Sequence, residues 1–160
     1  MRASVAERDQ FWIGGQLVLF ALSGIGGVRH MRHAGRPGIG TSILAAAPAV
    51  AAIAIASNAT REIGDNLTMA PTPVDDGHLV ESGIYGVVRH PLYLSAFLGM
   101  IGWALWSRAP SAFAALPMAA IFFNAKARHE ERLLRDRYPQ YDAYAHKVPG
   151  RIIPLPCRSR

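Results

Sequence analysis

Four stretches without a single acidic or basic side chain dominate this chain: residues 11–28 (FWIGGQLVLFALSGIGGV), 41–57 (TSILAAAPAVAAIAIAS), 92–107 (LYLSAFLGMIGWALWS) and 110–125 (PSAFAALPMAAIFFNA). A helix needs about 20 apolar residues to cross a hydrocarbon core, and the first stretch is close to that length. The second is Ala-rich and interrupted by Pro48, which predicts a break there. The last two are short for independent spans and are separated only at Ser107–Pro110, a spacing that predicts an antiparallel helical hairpin. One buried core helix of a soluble protein resembles any one of these blocks. Four of them in 160 residues predict an all-α, polytopic membrane bundle with about four spans, organised as a single domain over residues 1–160.

The leader MRASVAERDQ carries Glu7 and Asp9 beside its arginines, and the apolar run that follows exceeds a secretory h-region, so the first block reads as a retained span. A single cysteine, Cys157, excludes an internal disulfide framework and a four-cysteine zinc site. The ending CRSR has basic residues where a prenylation box has aliphatic ones.

Net charge is +6, and its distribution follows the blocks. With four crossings, the N-terminus, segment 58–91 and the tail from Lys126 share one side and carry thirteen Lys and Arg, against four on the other. The positive-inside rule then puts both termini in the cytoplasm, giving a multi-pass protein of the inner, cytoplasmic membrane. Topology and anionic headgroups account for the basic excess, so no nucleic-acid partner is expected. The even number of crossings also brings segment 58–91 and the tail to the same membrane face, where residues remote in sequence can form one site.

Two motifs stand at that face. GIYGVVRHPLYLSAF, residues 83–97, sets Arg89 and His90 against an apolar run and fixes the spot with Pro91, a favoured first residue of a helix. Ionisable residues at a bilayer edge either anchor to headgroups or mark a functional site. The second motif, FFNAKARHEERLLRDRYPQYDAY, is a helix that runs out of the fourth block and ends before Pro139. Lys126, Glu130 and Leu134 repeat every four residues on one stripe with Phe123 and Ala127, so Glu130 is expected to face a site. Glu131 has Arg128 and Arg135 in helical register, and surface ion pairing accounts for it. His129 lacks a second histidine at H-E-x-x-H spacing, and His30 and His33 lack a carboxylate neighbour, so no metal site is expected. Neither a P-loop nor a G-x-G-x-x-G after a strand is present. Gly24, Gly26 and Gly27 read as close helix packing, and Trp103 and Trp106 as interfacial anchors.

The order HLVESGIYGVVRHPLYLSAF, a hydrophobic hairpin, then ARHEERLLRDRYPQYDAYAHKVPGRIIP resembles the isoprenylcysteine carboxyl methyltransferase and phospholipid methyltransferase family of integral membrane enzymes over residues 74–155. The resemblance implies transfer of a methyl group from S-adenosyl-L-methionine to a lipid or lipid-modified acceptor, in a cytosolic pocket roofed by the C-terminal helical segment. It implies cofactor contacts from His78, Leu79, Val80, Tyr85, His90, Pro91, Leu92, Tyr93 and Glu130. Lys126 falls where the prenylated-protein methyltransferases carry a substrate-side arginine, which makes it the expected substrate contact. Lysine keeps the charge there but loses the planar two-pronged donor.

The chemistry of the residues agrees with that implication. Arg89 or His90 can hold a cofactor carboxylate through charge-assisted hydrogen bonds, and Glu130 can take the ammonium or the ribose hydroxyls. Tyr85 or Tyr93 can face a sulfonium through the ring. Methyl displacement needs in-line placement and dry surroundings more than acid–base help, so Arg89, His90 and Glu130 are the expected catalytic set. Two rivals stand beside this one. The tail also resembles the NADPH-binding sterol reductases, and a non-catalytic membrane adaptor could retain the same scaffold. The acceptor is open among a phospholipid amine, a thiol, an isoprenoid carboxylate and a protein residue.

Overall fold

The structure is a computed structural model describing residues 5–155, Asp75 excepted; Cys157 and the CRSR ending lie outside the described residues. Among the described residues helix is the only regular secondary structure. Helix α1 is Val5–Ala34, α2 Ile39–Ile63, α3 Pro91–Ser107, α4 Pro110–Arg137 and α5 Tyr141–Lys147, with short 3-10 turns at Gly64–Asn66 and Gly83–Gly86.

Both N-terminal helices extend beyond the apolar blocks that nucleate them. Segments Glu7–Ala34 and Ile39–Asn66 are long and apolar enough to cross a membrane, whereas the apolar helix Pro91–Ser107 is shorter. Their outward faces are what a soluble bundle would hide: Ile43 and Ile53 are each 68% exposed, and Leu17, Val18, Leu22 and Ile25 are also open. Contiguous apolar surface of this kind fits lipid as the surrounding medium.

Pro48 does not break α2, contrary to the expectation from sequence; it lies inside a continuous helix. Transmembrane helices tolerate interior proline where neighbours resatisfy the freed carbonyl. Small residues govern the packing of α2 on α3. A Cβ on Gly102 would lie 3.2 Å from the Ala45 carbonyl oxygen and 3.3 Å from Ala49, so glycine sets the approach of the two backbones. Gly27 lies under the Trp103 indole and Gly26 beside Ser111, as expected of close packing, whereas Gly24 has open space. Trp103 is no free interfacial anchor: its indole N–H donates to the Ser23 carbonyl at 3.0 Å and ties α3 to α1.

The hairpin between α3 and α4 turns in two residues. Arg108 adopts the left-handed conformation, its N–H caps the Ala104 carbonyl, and its guanidinium reaches the Gly35 carbonyl at 3.1 Å. That contact puts the α1–α2 connection and the α3–α4 turn at one end of the bundle. At the other end, Thr72 donates to Asp9 at 2.9 Å and Ser82 to Glu62 at 2.8 Å. The N-terminal end of α1, the C-terminal end of α2 and segment 64–90 therefore gather together.

Candidate functional site

The Arg-His-Pro knot sits where that end of the bundle meets the tail. Pro91 opens α3 at its first turn with His90 as the preceding residue. The knot is pinned from outside by a short backbone ladder. The Arg89 N–H donates to the Gly150 carbonyl at 3.0 Å, and the His90 N–H donates to the Arg151 carbonyl at 2.8 Å. Helix α5 seals the other flank, with Tyr141, Tyr144 and Val148 buried against Leu79, Leu134 and Tyr138, and the Tyr144 hydroxyl donating to the Tyr85 carbonyl at 2.8 Å.

Two adjoining cavities open between these segments. The first, about 620 Å³ including its mouth, is lined by His78, Leu79, Val80, Tyr85, Arg89, His90 and Glu130 along with Leu134 and the tyrosines of the tail. The second, about 400 Å³, shares Tyr85, Arg89, His90 and Glu130 and adds Pro91, Leu92 and Tyr93. Every residue expected to contact a cofactor lines one or both. The His78 side chain is exposed, while its backbone is clamped: its N–H donates to the Asn66 side-chain oxygen at 3.2 Å, and the Asn66 amide returns to the His78 carbonyl at 3.1 Å. Asn66, a member of the wall that sequence reasoning missed, thus fixes segment 78–80 from twelve residues upstream.

The paired glutamates have different surroundings. Glu130, with its side chain 26% exposed, accepts from the Tyr93 hydroxyl at 2.7 Å and lies 3.5 Å from His90 Nδ1. Glu131 corrects the sequence expectation. It is 1% exposed rather than a surface residue, and its main partners are Arg89 and Arg151. Arg89 Nε and Nη2 both reach Glu131 Oε1, at 3.0 and 2.9 Å. Arg151 grips the same carboxylate with two prongs, each at 3.0 Å. Arg135, the expected helical neighbour, stands 3.9 Å away and pairs better with Asp142 at 2.8 Å. Helical register alone could not find Arg89 and Arg151, because both arrive from segments remote in sequence.

His90 lies between the two carboxylates, with Nδ1 toward Glu130 and Nε2 3.5 Å from Glu131 without a formed hydrogen bond. Burial works to lower its pKa, and the Glu130 and Glu131 carboxylates overcome that, holding it above the ordinary histidine value. Burial likewise works to raise both glutamates. His90, Tyr93 and Lys126 bring Glu130 below the usual range, and His90 nearby together with hydrogen bonds from Arg151 and Arg89 brings Glu131 well below it. The His90 ring stacks on Tyr93 at 5.3 Å, and Tyr93 stacks on Phe123 at 5.6 Å, a column that immobilises the wall.

Two expected site residues are otherwise engaged. Arg89 spends its donors on Glu131 and on the Ala145 and Val148 carbonyls, so its first role is to hold the tail. Lys126 lines neither cavity. It is 1% exposed, donates to Gln16 at 2.7 Å and to the Met69 carbonyl at 3.0 Å, and lies 5.4 Å above the Tyr93 ring. It ties α1, segment 67–71 and α4 together beneath the site. Among the described residues no three His, Cys, Asp or Glu side chains come together as a metal site, and His129 stacks on Trp12 at 5.6 Å.

An all-helical, lipid-facing bundle with a polar site at one end defines the class. The chain belongs to the phospholipid methyltransferase family, which it matches over residues 41–141, from the start of α2 to the start of α5. It is 36% identical over 73 residues to the nickel-cobalt-cadmium resistance protein NccN of Alcaligenes xylosoxydans xylosoxydans, covering 45% of this chain and 34% of the relative. The cobalt-zinc-cadmium resistance protein CzcN of Cupriavidus metallidurans has the same identity and coverage. The Delta(14)-sterol reductase TM7SF2 of Mus musculus is 34% identical over 79 residues, 48% of this chain and 19% of that protein. The matched region thus spans about a third or less of the length of these curated relatives.

Proposed function

We propose that this protein is a single-domain, four-span membrane methyltransferase that uses S-adenosyl-L-methionine and methylates a lipid-borne acceptor at the cytoplasmic face. Membership in a methyltransferase family supports the reaction class. The observation that carries the site is the convergence of His78–Val80, Tyr85–Tyr93 and Glu130 on two adjoining cavities at the polar end of an apolar bundle.

The residues fit such a cofactor. The two adjoining cavities share Tyr85, Arg89, His90 and Glu130, so one ligand lying across both would meet polar groups from three segments. Glu130 is ionised and open, so it can hold an ammonium or ribose hydroxyls. His90, its pKa raised by the flanking carboxylates, lines both cavities and can meet a carboxylate. When bound, S-adenosylmethionine supplies a methyl group activated on sulfur. The chain's own contribution is to orient and to exclude water: the His90–Tyr93–Phe123 column fixes one wall, and the tail, pinned to Arg89 and Glu131, closes another.

The acceptor stays open among a phospholipid amine, a thiol, an isoprenoid carboxylate and a protein residue; the Arg89 and Lys126 cations are engaged internally, which leaves neither free for an acceptor carboxylate. Isothermal titration tests the assignment: S-adenosylmethionine is expected to bind, and NADPH is not. Incubation with methyl-labelled cofactor followed by lipid extraction then identifies the acceptor. NADPH binding without S-adenosylmethionine binding would support the reductase reading, which the resemblance to TM7SF2 keeps in view. Binding of neither would support an adaptor.

A further inference from the structure

A third hollow, about 1,120 Å³ including its open mouth, lies between α3, α4 and the tail and shares only Arg89 with the two cavities. Leu94, Phe97, Ala120 and Phe123 form its apolar walls, and Ile153 and Leu155 of the tail line its edge. The stacked Tyr93 and Phe123 rings separate it from the cavities: Tyr93 faces the second cavity and Phe123 this groove. None of the expected cofactor contacts lines it.

We infer that this groove binds one anionic glycerophospholipid, with an acyl chain along the α3–α4 wall and the headgroup phosphate at Arg151. Charge complementarity selects that occupant. Where Arg89 and Arg151 meet Glu131, two guanidiniums face one buried carboxylate, leaving an excess positive charge. The Arg151 side chain is 30% exposed at the groove's polar end, beside Asn124, which accepts from it at 3.2 Å. Arg135, the other nearby cation, is largely satisfied by Asp142. The apolar walls belong to the helices of the membrane hairpin, so the groove runs from chain depth to the interface. Basic pockets between membrane helices on the cytoplasmic side are suited to anionic headgroups. A lipid seated there would also brace residues 149–155, the segment whose backbone pins Arg89 and His90.

The test is thermal unfolding of the full chain in detergent with added phosphatidylglycerol, phosphatidylcholine or inorganic phosphate, alongside native mass spectrometry of retained lipid. Phosphatidylglycerol is expected to raise the midpoint by roughly 5 °C or more at saturation, with one molecule retained. Phosphatidylcholine and phosphate are expected to leave it unchanged. Two variants at exposed groove positions, Ala120→Trp to fill the wall and Leu155→Glu to oppose the headgroup, are each expected to abolish the shift. Equal stabilisation by phosphatidylcholine or by phosphate overturns the proposal, as does a full shift in both variants. None of these readouts involves the methyl-transfer cofactor, so failure here and failure of the proposed reaction are separable.

Discussion

Arg89 and Glu131, forty-two residues apart, are joined by two contacts to a single carboxylate oxygen, with side chains 8% and 1% exposed. This pair fastens the loop before α3 to the helix leaving the bundle, and Arg151 fastens the tail to the same carboxylate. The cavities exist because three segments share that one buried anion.

Glu131→Gln is therefore expected to destabilise the protein by about 3 kcal/mol or more, because it leaves two guanidiniums short of their countercharge in a buried setting. Glu130→Gln, at a partly open position, is expected to cost less stability. Thermal unfolding in detergent checks the order, and equal midpoints for the two variants would show that Glu131 does not hold the tail.

Ligand binding should reverse that ranking. Glu130→Gln removes an open, ionised acceptor in the cavity wall and is expected to weaken S-adenosylmethionine by ten- to hundred-fold, about 1.5–3 kcal/mol for a hydrogen bond to a charged group. Titration of the folded variant measures it. An unchanged dissociation constant would remove Glu130 from the site.

His90 and Arg89 separate in the same way. His90→Ala is expected to raise the dissociation constants of S-adenosylmethionine and S-adenosylhomocysteine by a similar factor while decarboxylated cofactor is indifferent, because His90 lines both cavities and its pKa is raised. Arg89→Ala is expected to act chiefly on stability, through the Ala145 and Val148 carbonyls it releases. A comparable loss for the decarboxylated ligand in His90→Ala would refute the carboxylate role.

Stability should fall off on both sides of neutrality, through different groups. Glu131 is depressed in the fold, so its contribution is complete above about pH 4.3 and is lost as pH falls toward its lower folded value. His90 is raised, so its contribution is complete below about pH 6.5 and is lost as pH rises through its higher folded value. Glu131→Gln should flatten the acid limb and His90→Gln the alkaline one. Unfolding midpoints across pH 3 to 9 test both, and an unchanged alkaline limb in His90→Gln would show that His90 is not the titrating group.

The two ends of the bundle are predicted to lie on opposite sides of the membrane. In a Cys157→Ser background, Ser42→Cys and Ser82→Cys are expected to react with an impermeant thiol reagent from opposite faces. Labelling from one face only would exclude the four-span arrangement.

Local pattern in the sequence determined the helices, the tight turn between the last two and the stripe bearing Glu130 and Leu134, because those depend on neighbours within one helical turn or on the bare absence of charge. The RHP motif and the EE pair were legible as ingredients of one face for the same reason, once the number of crossings put them together. Tertiary structure alone decided what each charge does. Glu131 has arginines in register three and four residues away, yet Arg89 and Arg151 take it, because α4 turns it inward where a buried carboxylate must find countercharge. Lys126 shares the stripe of Glu130 but is drawn under the site by Gln16 and the Met69 carbonyl, partners that no local spacing relates to it. Periodicity sets the face a side chain presents; which remote group meets that face is fixed only when desolvation forces every buried charge to pair.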